Sequence, residues 1–151
     1  MNTIDRPRMT EARIHKYFEL ARQACKFSDM KKANLGSILV YKNKVISVGW
    51  NIGTKTSPLQ KEFNKFRNFN PDDSDVINSL HAEILCLHRA NDLDIDWNKA
   101  SLFTYRKKKN GDIGLARSCP ACYNYAKTLG LGNLYYTTET GKGWGYERIE
   151  Y

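Results

Sequence analysis

Apolar positions along this chain follow two periods, and each change of period marks an element. Ile14, Tyr17, Phe18, Ala21, Ala24 and Cys25 recur at three- and four-residue intervals, the single stripe of an amphipathic helix. Thr10 is a suitable cap for a helix starting at Glu11, with fraying expected over residues 28–32. Residues 35–41 and 45–50 are then rich in Val, Ile and Leu and enclose Lys42, Asn43 and Lys44. That is a hairpin signal, and Asn43 tolerates the left-handed backbone of a tight turn.

A polar stretch follows, from Asn51 to His81. Leu59, Phe63 and Phe66 are spaced four and three apart within it and predict a short helix. Ser79 can cap the next helix, which runs to about Ala90 and is apolar on most sides, as suits a buried central element. Residues 100–105 read as a third strand and residues 106–112 as a basic turn pivoting on Asn110 and Gly111. A third helix is expected over residues 119–129, with Pro120 in its first turn and Gly130 ending it.

Residues 133–138 and 146–151 read as the last two strands, with Gly141, Gly143 and Gly145 supplying the turn. A parallel pair would need a crossover of about a dozen residues, usually helical. The glycine-rich connection cannot be that helix, so these strands are expected to form an antiparallel hairpin. Residues 1–9 read as a loose N-terminal arm and residues 10–151 as one domain.

Composition narrows the class. Hydrophobic residues make up 41 % of the 151, no apolar run approaches the roughly 18 residues of a membrane span, and the first residues lack a signal-peptide core. A cytoplasmic protein without a membrane partner is expected. The net charge of +8 is uneven: residues 1–50 carry +6, residues 51–100 carry −2 and residues 101–151 carry +4. Such an excess favours polyanions, but does not separate a nucleotide phosphate from a nucleic-acid backbone.

The chemistry sits in two short runs: His81, Ala82, Glu83, and then Cys119, Pro120, Ala121, Cys122. One imidazole and two thiolates are the three protein ligands of a catalytic zinc site, whose fourth position is left to water. Glu83 is then spare, and available for proton transfer. Cys25 and Cys86 lie on apolar stripes and read as buried core thiols. A C-x-x-C alone is ambiguous among zinc ribbon, redox pair and chance; the H-A-E upstream selects zinc.

H-x-E followed by P-C-x-x-C is the signature of the zinc deaminases, and from about Ile14 to Tyr136 the chain resembles the zinc-dependent cytidine/deoxycytidylate deaminase superfamily. Ser118 stands where that family has proline, and Pro120 follows the first cysteine instead. The resemblance implies a three-layer α/β/α cytidine-deaminase-like fold. Its mixed five-stranded sheet ends in the antiparallel hairpin. It also implies one Zn2+ per chain on His81, Cys119 and Cys122, Glu83 as the catalytic proton shuttle, the Ala82 N–H on the pyrimidine carbonyl, and Asn51 on the substrate's sugar. From spacing alone, Asn51 would rather be an Asx-turn residue.

Arg117 and the cluster Lys55, Lys61, Lys65 and Arg67 are candidate partners for a substrate phosphate. Trp50 or Tyr105 could stack on the base, and either could equally be core. The implied reaction is hydrolytic deamination of cytosine in a free nucleoside or nucleotide. Two alternatives stay open: a cytosine or adenine deaminase of single-stranded DNA, RNA or tRNA, favoured by interleaved basic and aromatic residues, and an inactive zinc-stabilised binding protein. A homo-oligomer is left open too.

Overall fold

The computed structural model describes residues 9–54, 56–67 and 79–151. Most of the N-terminal arm, together with Lys55, lies outside these residues. Helix α1 spans Glu11–Ala24, and the Thr10 hydroxyl accepts from the Arg13 N–H at 3.3 Å, as a cap should. The whole predicted stripe is buried. A 3-10 turn over Cys25–Phe27 then releases the chain into extended backbone at Ser28.

Strands β1 (Ala33–Tyr41) and β2 (Lys44–Trp50) form the predicted hairpin. Both turn residues are left-handed, Lys42 at φ 50° and Asn43 at φ 64°, which is the turn whose twist matches paired strands. Helix α2 (Pro58–Phe63) is followed by a 3-10 turn over Asn64–Phe66, and helix α3 spans Ala82–His88. β3 (Ser101–Lys108) lies antiparallel to β1. After it come β4 (Ile113–Gly114), α4 (Pro120–Leu129), β5 (Asn133–Thr137) and β6 (Trp144–Arg148).

The sheet order is β2-β1-β3-β5-β6. Only the β3–β5 pair is parallel, and its crossover carries α4, as a parallel connection requires. β5 and β6 pair antiparallel, as expected from the length of their connection.

Three strand boundaries differ from expectation. β3 continues through Arg106, Lys107 and Lys108 because the long β1 partners them with Leu35, Asn34 and Ala33. The turn is thereby confined to residues 109–112, with Gly111 at φ 93°. β4 pairs with Arg106 and Lys107, so the sheet has six strands where five were predicted. Finally, β6 starts at Trp144, whose side chain is buried in the core. Gly145 therefore sits inside the ladder opposite Tyr136 and not in the turn.

Alternation along the strands builds the layers. Ile38, Val40, Phe103 and Tyr135 pack with α1, while Leu39, Leu102 and Leu134 pack with α3 and α4. On the first side Phe103 and Tyr135 stack with ring centroids 4.3 Å apart. The sheet is therefore covered on both faces. Gly49 sets how closely α3 approaches: a Cβ there would lie 2.4 Å from the Ala82 carbonyl oxygen and 2.5 Å from the Cys86 nitrogen. No helix among the described residues is long and apolar enough to cross a membrane.

Candidate active site

His81 was expected in the first turn of a helix capped by Ser79. The helix instead begins one residue after His81, which is itself the N-cap, with φ −79° and ψ 147°. The reason lies just upstream: Leu80 is held in a two-bond bridge with Ile52 (2.8 and 2.9 Å), which keeps the chain extended up to His81. Residues two apart on a helix are turned by about 200°, so His81 and Glu83 could not share a site from within it. An extended His81 and a first-turn Glu83 can.

Cys119 repeats the arrangement on α4. It is the N-cap, with φ −68° and ψ 165°; Pro120 occupies the first turn, and Cys122 follows three residues later. Proline costs nothing at that position because its missing N–H would have had no intrahelical partner. The displacement of proline from 118 to 120 thus leaves the helix start intact. Gly130 closes the helix in the left-handed conformation at φ 87°.

The two helix starts bring three ligand atoms together. His81 Nδ1 lies 3.2 Å from Cys122 Sγ and 3.4 Å from Cys119 Sγ, and the sulfurs are 3.6 Å apart. Tetrahedral zinc, with Zn–S near 2.3 Å and Zn–N near 2.0 Å, would space its ligands about 3.8 Å (S to S) and about 3.5 Å (S to N). The donor set fits zinc in chemistry and in spacing. It is the one group of this kind among the described residues.

Charge is arranged to suit. The hydrogen bond with Cys122 and the neighbouring His81 lower the Cys119 thiol to about 3, while burial, reinforced by Cys119, pushes Cys122 well up. Cys119 is thus the more readily ionised of the pair, and a divalent cation would displace the proton of Cys122. Glu83 is 3 % exposed. Burial raises its carboxyl above the ordinary range, against the opposing pull of His81 and Cys122. It stands beside the ligand trio without belonging to it.

The other candidates are placed differently. The Asn51 amide is buried and engaged: Oδ1 accepts from the Leu35 N–H (2.8 Å) and the Ser28 hydroxyl (2.5 Å), and Nδ2 donates to the Ala33 carbonyl (3.0 Å). It ties the end of β2 to the start of β1. Arg117 is exposed and forms a two-bond ion pair with Glu147, at 3.1 and 3.2 Å. The pair lies in a groove of about 660 Å³ shared with Tyr123, Tyr146 and Arg148, which does not include His81 or Glu83.

Trp50 packs on Phe27 and beneath Arg89, and Tyr105 against the α1-side core, so both belong to packing. Lys61 is exposed, and Lys65 pairs with Glu62 at 2.7 Å. Arg67 reaches the site, its Nη1 lying 3.2 Å from His81 Nε2. Cys25 and Cys86 are buried, and desolvation pushes their thiols up to about 11 and about 12.

Sequence reasoning missed Gln60 and Asn64. Both are buried, and Gln60 Oε1 accepts from the His81 N–H at 2.9 Å. Ser57-Pro58 signals a helix start, but nothing in a polar stretch marks these two positions as its inward face.

Solved structures support the fold. The dCMP deaminase of cyanophage S-TIM5 in apo form is 22 % identical, with TM-score 0.56 and 87 % of each chain covered. A cytidine deaminase from Burkholderia pseudomallei is 18 % identical, with TM-score 0.61, covering 93 % of this chain and 94 % of the other. The S-TIM5 enzyme in complex with dCMP and dUMP is 20 % identical, with TM-score 0.53, covering 82 % and 79 %. No curated protein matches the chain. The family model for the cytidine and deoxycytidylate deaminase zinc-binding region matches residues 11–138. With that match, and with both halves of the signature meeting at one point in space, the chain belongs to the cytidine and deoxycytidylate deaminase family.

Proposed function

We propose that the chain is a zinc-dependent hydrolase that converts the cytosine of a free nucleoside or nucleotide to uracil and releases ammonia. The observation that carries this reading is the buried Glu83 carboxyl set beside, and outside, the His81, Cys119 and Cys122 trio. A purely structural metal site has no use for such a group.

His81 Nδ1 and the two cysteine sulfurs would hold one zinc per chain. When bound, zinc makes a water molecule acidic near neutral pH. Glu83 takes the proton of the attacking water, delivers it to ring N3 as the oxygen adds to C4, and then assists the departure of the amine as ammonia. Water is consumed, the C4–N bond breaks, and a carbonyl replaces it. The raised affinity of Glu83 for a proton suits a group that must both accept and return one.

Ala82, the first residue of α3, offers its N–H to the pyrimidine carbonyl; helix-start amides have no intrahelical partner. Asn51 reaches the sugar through its remaining amide hydrogen while keeping its bonds to Leu35 and Ala33. Arg117 engages Glu147 through Nε and Nη2, so a phosphate would meet its Nη1 side.

Two observations favour a free nucleoside or nucleotide over nucleic acid. The antiparallel β5–β6 hairpin resembles the free-nucleoside branch, whereas tRNA and polynucleotide deaminases usually insert a helix there. Phe63, one of the interleaved aromatics, packs on Tyr125 at 5.2 Å and so serves the core. The chemistry of the S-TIM5 deaminase, bound to dCMP and dUMP, points to the same substrate class. Four free cysteines suit a reducing, cytoplasmic setting.

The test is ammonia release by the zinc-loaded chain on cytidine, CMP, dCMP, adenosine and a cytosine-containing oligonucleotide. Turnover of cytidine, CMP or dCMP is the expected result. Turnover of the oligonucleotide alone would replace this reading with the nucleic-acid one.

A further inference from the structure

Gln60 is a long polar side chain with no exposed surface, and both ends of its amide are committed. Oε1 accepts from the His81 backbone N–H at 2.9 Å, and Nε2 donates to Asn64 Oδ1 at 2.8 Å. Asn64 Oδ1 also accepts from Arg67 Nη1 at 3.3 Å, and that nitrogen lies 3.2 Å from His81 Nε2. The path leaves His81 at its backbone and returns to it at its ring. Ser57 caps α2 through the Gln60 N–H, at 3.1 Å, which fixes where the Gln60 side chain enters.

A buried amide is costly unless both ends are satisfied, and an apolar residue of similar volume would fill the space without that demand. What the amide adds is direction. His81 lies outside its helix and makes no side-chain capping bond of its own, so its backbone needs an external partner to fix the imidazole. The same α2 segment rests Phe63 on Tyr125 of α4, at 5.2 Å. It therefore touches both helices whose starts carry the ligands.

We propose that Gln60 is a positioning residue for His81, and that, held in turn by Asn64, it sets the imidazole against the two cysteine sulfurs. This rests on the metal-centred reading above. A guanidinium only donates, and a metal on Nδ1 would leave the imidazole proton on Nε2, so the Arg67 contact belongs to the metal-free site. The Gln60 bond, made to a backbone N–H, does not depend on the ring proton, and it carries the inference. Partners of this kind around a metal ligand are typically worth about 10- to 100-fold in metal affinity.

The experiment is a competition titration of zinc against a chromophoric chelator, with the full chain, paired with the absorption spectrum of the cobalt-loaded protein. Gln60→Leu should weaken zinc binding about 10- to 100-fold and alter the cobalt bands, with the circular dichroism of the fold retained. Asn64→Asp keeps an acceptor for both Gln60 and Arg67 and should hold wild-type affinity, whereas Asn64→Leu should fall with Gln60→Leu. A folded Gln60→Leu with wild-type affinity and cobalt spectrum would overturn the proposal. If Gln60→Leu does not fold, equal affinities for the two Asn64 variants would overturn it instead. A wild-type chain that binds neither ion would overturn the metal reading itself, and this inference with it.

Discussion

His81 and Cys119 occupy the same position on different helices: each is the N-cap, in extended backbone, and Nδ1 of the first meets Sγ of the second at 3.4 Å. Cys122, three residues into α4, closes the trio. Neither helix could place its ligands from its middle, since the imidazole and the Glu83 carboxyl would then diverge. Setting the ligands at helix starts also brings the positive ends of both helices to the point where the cysteine sulfurs gather.

Metal and fold should therefore be coupled. Binding that favours the native state stabilises it by about 4 kcal/mol at a thousandfold excess over the dissociation constant, or roughly 8–16 °C in melting midpoint for a chain of this size. Chelation should lower the wild-type midpoint, and Cys122→Ala should remove the response to zinc. Equal midpoints for wild type with and without zinc would contradict the coupling.

Glu83 should oppose stability as pH rises. Its folded-state carboxyl holds a proton more tightly than in the unfolded chain, so its favourable contribution is complete below the unfolded carboxylate range and lost as pH climbs through the folded value. In chelated protein, Glu83→Gln should match wild type near about pH 4 and melt higher near about pH 8. A constant gap across that range, measured by calorimetry, would mean that Glu83 is not held protonated by burial.

Gly49→Ala should damage the site without touching it. The added methyl meets α3 backbone at 2.4 and 2.5 Å, contacts that no side-chain rotation relieves. A loss of about 1–3 kcal/mol is expected for such overpacking, together with a fall in kcat, because α3 carries Glu83 and is capped by His81. Urea unfolding and steady-state kinetics would show both; unchanged stability would mean that α3 can shift freely.

Arg117→Ala should raise KM for a nucleotide more than for the matching nucleoside. As an exposed ion pair with Glu147, Arg117 contributes at most about 1 kcal/mol to stability, so the fold should persist. Equal changes in KM for nucleotide and nucleoside would leave Arg117 as the partner of Glu147 alone.

Much of this was legible in the sequence because local signals agreed. The stripe from Ile14 to Cys25, the Asn43 turn, Pro120 and Gly130 each name a backbone conformation whatever surrounds them. The misplaced boundaries have non-local causes. Arg106 to Lys108 are charged enough to read as turn, yet β1 supplies them with partners. Ser79 is a sound cap by type, but the Ile52–Leu80 bridge postpones the helix to Ala82. The motif that singles out Asn51 does not disclose that its amide is tied into the hairpin base, because those partners lie on β1. Gln60 was invisible because a polar residue in a polar stretch gives no sign that it is buried.

The central claim, that Glu83 moves protons beside a metal it does not bind, is tested most directly by measuring zinc content and ammonia release on the same samples of wild type and Glu83→Gln with dCMP. One zinc per chain in both proteins, with turnover reduced at least about 100-fold in the variant, is the predicted result. Loss of zinc from Glu83→Gln, or turnover equal to wild type, would contradict it.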